Sequence, residues 1–157
     1  MAMPPVVVRP AAETDLPSIV GVLADDDVGG HGDIWSESTA PAYLDAFREI
    51  EGDRNSEILV AEQEGAVRGV LILRFQRGLT DRGGFKAILQ SVFVSAHARG
   101  AGIGRLMVAE AERRAHARGA SRVELVSNKK RLDAHRFYRT LGYAQSHEGF
   151  RKKLASD

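Results

Sequence analysis

A chain of 157 residues with 22 basic and 21 acidic side chains, no cysteine and 43% hydrophobic residues excludes several classes at once. Disulfides, thiolate nucleophiles and cysteine-based zinc sites are ruled out, and a net charge of +1 argues against a nucleic-acid binder, which carries a clear excess of Lys and Arg. The balance is a cancellation: residues 1–98 carry 8 basic and 15 acidic groups (−7), residues 99–157 carry 14 and 6 (+8), which suggests an anionic partner for the second half.

MAMPPVVVRP lacks a basic stretch followed by a long apolar run, so no signal peptide is expected. The longest apolar runs, such as GVLIL, fall far short of the ~20 residues of a membrane span. The expectation is a cytoplasmic chain with no membrane partner, folded as a single domain over 1–157.

Val6 to Val8 reads as a first strand. Thr14 or Asp15 caps a helix with Leu16, Ile19, Val20 and Leu23 on its apolar face. ADDDVGGHGD follows as an acidic, glycine-rich loop. Ser38 or Thr39 with Pro41 starts a second helix carrying Tyr43, Leu44, Phe47 and Ile50. Ile58–Ala61 and Val67–Phe75, joined by EQEGA, predict an antiparallel hairpin. RGLTDRGG is a loop, and Phe85–Val94 a central strand, apolar on both faces. RGAGIG leads into a helix with Ile103, Leu106, Met107, Ala111 and Ala115 on one face, ended by Gly119. Val123–Val126 is a strand, Asp133–Leu141 a helix, and the tail around Phe150 a last strand. The order predicts an α/β (α+β) fold, a mixed sheet flanked by helices.

Between a strand and a helix stands Arg99-Gly100-Ala101-Gly102-Ile103-Gly104. Glycines there turn the backbone tightly and leave the first helical amides aimed at one spot, where the helix dipole favours a phosphate. Arg99 and Arg105 add positive charge. Close packing of helix on sheet also selects such turns, so the loop alone leaves both readings open. It lacks the Gly-Lys-Ser/Thr of a Walker loop and the G-x-G-x-x-G of a dinucleotide fold.

The loop does match R/Q-x-x-G-x-G/A through Arg99, Gly102 and Gly104. Downstream, AHRFYRTLGY matches A-x-x-F/L-Y-x-x-x-G-F/Y through Ala134, Phe137, Tyr138, Leu141, Gly142 and Tyr143. With these two motifs at this separation, the chain resembles the GCN5-related N-acetyltransferase (GNAT) family over essentially its whole length. The resemblance implies a splayed mixed sheet and acetyl-CoA as cosubstrate. It assigns the CoA pyrophosphate to the backbone amides of Arg99, Gly100, Ala101, Gly102, Ile103 and Gly104. The pantetheine arm falls to the main chain of Val92, Phe93 and Val94, and the proton for the departing thiolate to Tyr138. Ala134, Phe137, Tyr138 and Leu141 also form a packing stripe, so residue types alone leave Tyr138 either core or acid.

The chain departs from the family pattern at two places. The central-strand carboxylate that serves many members as base is replaced by Gln90 and Ser91. The Asn often found at the start of the last helix falls at Arg131, while Asn128 stands nearby as a cofactor contact. An alkylammonium has pKa near ~10 and needs a proton acceptor. Candidates are Glu57, Glu62, Asp25 to Asp27 and His31, with none preferred. The acidic loop attracts an ammonium acceptor or is a solvated turn. Asn128-Lys129-Lys130-Arg131 meets the adenosine 3′-phosphate or is simply solvated. His135 and His147 are the histidines worth testing. Metal spacing is absent from the sequence.

The expected function is acetyl transfer from acetyl-CoA to a primary amine, with a small-molecule acceptor and no nucleic acid. The alternative is an acyl-CoA-binding sensor without turnover. Homodimers are common among the relatives implied by the resemblance, while the sequence itself leaves the oligomeric state open between monomer and homodimer.

Overall fold

A computed structural model of the chain describes residues 2–26, 28 and 30–156. Asp27 and Gly29 of the acidic loop lie outside the described residues. Two units are distinguished, divided after Leu125.

In the first unit, five strands lie in the order β1 (Val6–Pro10), β2 (Ser56–Gln63), β3 (Ala66–Arg77), β4 (Phe85–Val94) and β5 (Val123–Leu125). The first four are antiparallel, and β4–β5 is parallel. The predicted hairpin is β2–β3. Its two-residue turn, Glu64 (φ 52°) and Gly65 (φ 75°), has the left-handed pair that matches strand twist.

Helices cover both faces. On one, α1 (Leu16–Ala24) sets Ile19 and Val22 against Val60 of β2 and Val70 of β3. On the other, α4 (Ile103–Ala117) buries Ile103, Met107, Val108, Ala111 and Ala115. A Cβ on Gly69 would lie 2.8 Å from Met107 Sδ, so β3 and α4 approach as closely as a glycine permits. α2 (Ala40–Gly52) starts after Thr39 with Pro41 in its first turn and buries Phe47. RGLTDRGG is not wholly irregular: its centre is a single turn, α3 (Thr80–Gly83), with Asp81 and Arg82 at positive φ.

Three expectations in this unit need correction. Leu106 is 47% exposed, and Val108 takes the buried position, because the stripe that faces the sheet is offset by one helical ridge. Val126 lies beyond β5, which ends at Leu125. The Asp15 carboxylate accepts the Ala12 N–H and pairs with Arg9 rather than capping α1.

The second unit holds α5 (Leu132–Thr140) and the segment 141–156. Gly142, at φ 93°, turns the chain out of α5, with the Tyr143 N–H returning to Tyr138 O. The strand expected around Phe150 is not formed: residues 143–156 have no strand or helix, and Phe150 is 96% exposed. An extended run of suitable residues becomes a strand only when an edge accepts its backbone bonds.

Candidate active site

β4 begins fully paired. Ala87, Ile88 and Leu89 are in register with Val123, Glu124 and Leu125 of β5, and the ladder stops there. From Gln90 to Val94 the strand keeps partners only on β3. Between the rungs Ile72↔Gln90 and Val70↔Phe93, β4 carries one more residue than β3, and Ser91 sits there at φ 50°. This β-bulge bends the strand and turns it away from β5. Val92, Phe93 and Val94 are half-buried beside that opening, with main-chain groups on the β5 side unmatched by the ladder. The amides expected to meet a pantetheine arm are therefore at an open edge.

Beyond β4, a short turn (Ala96–Ala98) leads into the glycine loop. Gly100 and Gly102 have φ 79° and 82°, conformations costly to any residue with a Cβ. Gly102 is also the residue before α4, and at that position it offers no side chain to cap the helix. The first intrahelical bond comes from Leu106 N–H to Gly102 O, which leaves the Ile103, Gly104 and Arg105 amides at the positive end of a 15-residue helix. An uncapped N-terminus opening from two left-handed glycines suits a pyrophosphate. Ala101 completes the turn, half-buried.

Arg99 has a different role from the one its charge suggests. Its guanidinium donates to Val94 O (3.3 Å) and Asp25 O (2.8 Å), while the Asp25 carboxylate accepts the Ala96 N–H at 2.9 Å. The side chain fastens the loop to the end of α1.

The candidate bases are dispersed. Asp25 is engaged at the loop. Glu57 pairs with Arg114 (3.1 Å) on the α4 face of the sheet, opposite to Gln90. Glu62 pairs with Arg9 at 2.8 Å. His31 is exposed, and Asp27 is outside the described residues. Asp26 accepts the Val28 N–H at 3.2 Å, so the described candidates are spread over separate elements.

In the second unit, Asn128 forms a turn: its side-chain oxygen accepts the Lys130 N–H (2.9 Å) and its carbonyl the Arg131 N–H (3.0 Å). His135 Nε2 lies 2.9 Å from that carbonyl. Tyr138 meets Phe137 and Tyr143 edge to face, with centroids at 5.1 and 5.8 Å. Burial pushes its phenol up to about 12, opposed by the Arg131 charge. At neutral pH it is fully protonated, the state a proton donor requires.

Comparison with known proteins identifies the family and the fold. Residues 22–143 match the family model described as "Acetyltransferase (GNAT) family". The chain is 33% identical to an aminoalkylphosphonate N-acetyltransferase of Salmonella typhimurium, over 97% of its own length and 94% of the relative's. A solved structure described as a transcriptional regulator from Bacillus halodurans superposes with TM-score 0.91 at 37% identity, covering 96% of this chain and all of the other. The same fold occurs in an aminoglycoside N-acetyltransferase solved in complex with CoA (TM-score 0.79, 14% identity, 99% and 98% covered). The chain belongs to the acetyltransferase (GNAT) family. It is an N-acetyltransferase that uses acetyl-CoA as cosubstrate and transfers acetyl to an amine.

Sequence reasoning found the loop and the strand beside it. It missed Arg74, which reaches Gln90 across the sheet. Arg74 Nε donates to Gln90 Oε1 at 2.6 Å. Sixteen residues separate the pair, and only the register of β3 on β4 brings them together.

Proposed function

We propose that the enzyme acetylates a small-molecule primary amine by direct attack, with the machinery laid out along β4 and the loop after it. The observation that carries this reading is the open β4 edge running from the Ser91 bulge into an uncapped α4 N-terminus. Acetyl-CoA supplies the thioester on which the amine acts. The amides of Arg99 to Gly104 hold the pyrophosphate, and the main chain of Val92 to Val94 aligns the arm. Amides on the free edge donate to the oxyanion that develops at the carbonyl. Tyr138 gives the thiolate its proton, and Asn128 contacts the cofactor from the start of the second unit. Gln90 cannot take a proton from the ammonium, so the amine attacks in its neutral form, its proton lost to solvent buffer before attack. The whole chain acts as one transferase domain.

A small acceptor is supported by the relatives, whose names specify aminoalkylphosphonate and aminoglycoside amines. Among the described residues no helix is long and apolar enough to cross a membrane. A cytoplasmic location accords with the absence of cysteine and with an acetyl-CoA requirement. A homodimer is supported by the second unit, where Phe150 and Leu154 are 96% and 82% exposed.

The test is acetyl-CoA-dependent thiol release over a panel of amines, comparing wild type with Tyr138→Phe. The variant is expected to lose roughly 10²-fold in kcat with CoA affinity retained. Unchanged kcat on a good acceptor removes Tyr138 as the acid.

A further inference from the structure

On the strands Arg9 pairs with Asp15 and Glu62; off them Arg114 of α4 pairs with Glu57 and Glu110, and Arg122, just before β5, with Asp81 and Glu124. Arg68, Arg74 and Arg77 of β3 have no ion pair among the described residues, and of these three Arg74 is the one bonded to Gln90. Its two bonds go to neutral groups: Nε to Gln90 Oε1 at 2.6 Å and Nη1 to Ser56 Oγ at 3.1 Å. Ser56 is buried and its hydroxyl donates a hydrogen bond to Asp53 Oδ2 at 2.6 Å, so the carboxylate stands one hydroxyl away from the guanidinium. A guanidinium has five N–H donors. Two are used to fix its plane, and among the described residues the other three have no acceptor.

The location is as informative as the charge. Val70, Ile72 and Arg74 alternate onto one face of β3, the face whose other end is covered by Ile19 and Val22 of α1. At the Arg74 end Gln90 is exposed and the guanidinium half-exposed. Gln90 is the first residue of β4 past the Leu89↔Leu125 rung and adjoins the Ser91 bulge. An arm aligned on Val92–Val94 ends its acyl group at that point, because the closed ladder below Gln90 leaves no free edge. Arg74 thus stands beside the position of transfer, held by the side chain that replaces the missing carboxylate.

We propose that Arg74 binds an oxyanionic group on the acceptor, and that the acceptor is a small zwitterionic amine carrying a phosphonate, phosphate or carboxylate. This inference rests on the acetyl-transfer reading for the position of the acyl group and deepens it by naming the acceptor class. A fixed cation with three free donors matches the geometry of such a group, and charge-assisted bonds of this kind are the strong ones. A plain monoamine gains nothing from it: its ammonium would be repelled by the guanidinium. Gln90 acts here as a positioning residue, since its carbonyl oxygen fixes the guanidinium plane.

The experiment measures kcat/KM with three probes of similar length, 2-aminoethylphosphonate, 3-aminopropionate and 3-amino-1-propanol, the last with an ammonium but no oxyanion. Wild type, Arg74→Gln and Arg74→Lys are compared, together with binding of 2-aminoethylphosphonate by calorimetry in the presence of CoA. Wild type is expected to favour an oxyanionic probe, the first two arms showing whether phosphonate or carboxylate is preferred. Arg74→Gln should raise KM for that probe by roughly 10- to 100-fold with a far smaller change in kcat, and Arg74→Lys should recover part of the loss. Equal losses on probes with and without an oxyanion, or a wild type that treats them alike, overturn the proposal while leaving acetyl transfer intact. Arg74-dependent binding of 2-aminoethylphosphonate without turnover of any probe means that the transfer reading fails and the anion site stands. Neither binding nor turnover of the oxyanionic probes overturns the Arg74 assignment.

Discussion

The Tyr138 phenol is held protonated by burial, which pushes it up to about 12 against an ordinary value of 10.0. Below pH 10 folded and unfolded chains both keep that proton, so it adds no pH dependence. Between pH 10 and 12 the unfolded chain loses it first, and folding stability falls as pH rises. Absorbance titration is expected to show one of the three tyrosines ionising near pH 12, a phase absent in Tyr138→Phe. Glu110 is displaced in the opposite direction. Bonds from Arg113 and then Arg114 hold its carboxylate at about 2. Its stabilisation is present above the ordinary glutamate value of 4.5 and disappears as pH falls toward 2. Glu110→Gln should lower Tm at pH 7, with the difference from wild type closing by pH 2 in thermal melts. Residue chemistry of this kind was legible only for Tyr138, through its motif. The Arg74–Gln90 bond was not, because no local pattern encodes an antiparallel register interrupted by a bulge.

Individual elements were legible where periodicity was strong. The Phe85–Val94 strand was read with its observed limits, and the α4 start follows the glycine loop as expected. The exchange of Leu106 for Val108 shows what periodicity omits: it marks an apolar stripe but not the direction in which the sheet lies. Two substitutions examine the elements that make the site. Gly102→Ala places a Cβ at φ 82°, where it meets nothing within 4 Å, so its cost is conformational, about 1–2 kcal/mol. Relaxation of that turn misaligns the α4 amides, and the Kd for CoA is expected to rise roughly tenfold by calorimetry. Gly69→Val instead drives side-chain atoms into Met107, 2.8 Å from even an ideal Cβ. It should destabilise by about 1–3 kcal/mol in denaturant unfolding, with part recovered by adding Met107→Ala.

For the molecule as a whole, the two charged halves acquire separate explanations. Much of the acidic half is bound internally: Glu13, Asp15, Glu57 and Glu62 are all paired with arginines. In the acidic loop Asp25 accepts the Ala96 N–H and Asp33 the Tyr43 hydroxyl, and Arg74, whose two bonds go to neutral groups, is a further guide to the acceptor. The basic half contains the loop and α4, as a polyanionic cosubstrate requires. The second unit exposes Phe150 and Leu154. Apolar surface of that kind is commonly an interface. Sedimentation should find a dimer, and Phe150→Asp with Leu154→Asp should shift it to monomer.

The sequence by itself determined the family, the glycine loop before α4 and the order of elements as far as the last helix, because glycine turns, helical stripes and strand runs are encoded by neighbours in the chain. Tertiary structure alone decided where β4 parts from β5, which carboxylates are already occupied, and that an arginine on β3 faces the glutamine on β4. Those facts depend on strand register and on one inserted residue at Ser91, and register is settled by packing across the whole sheet.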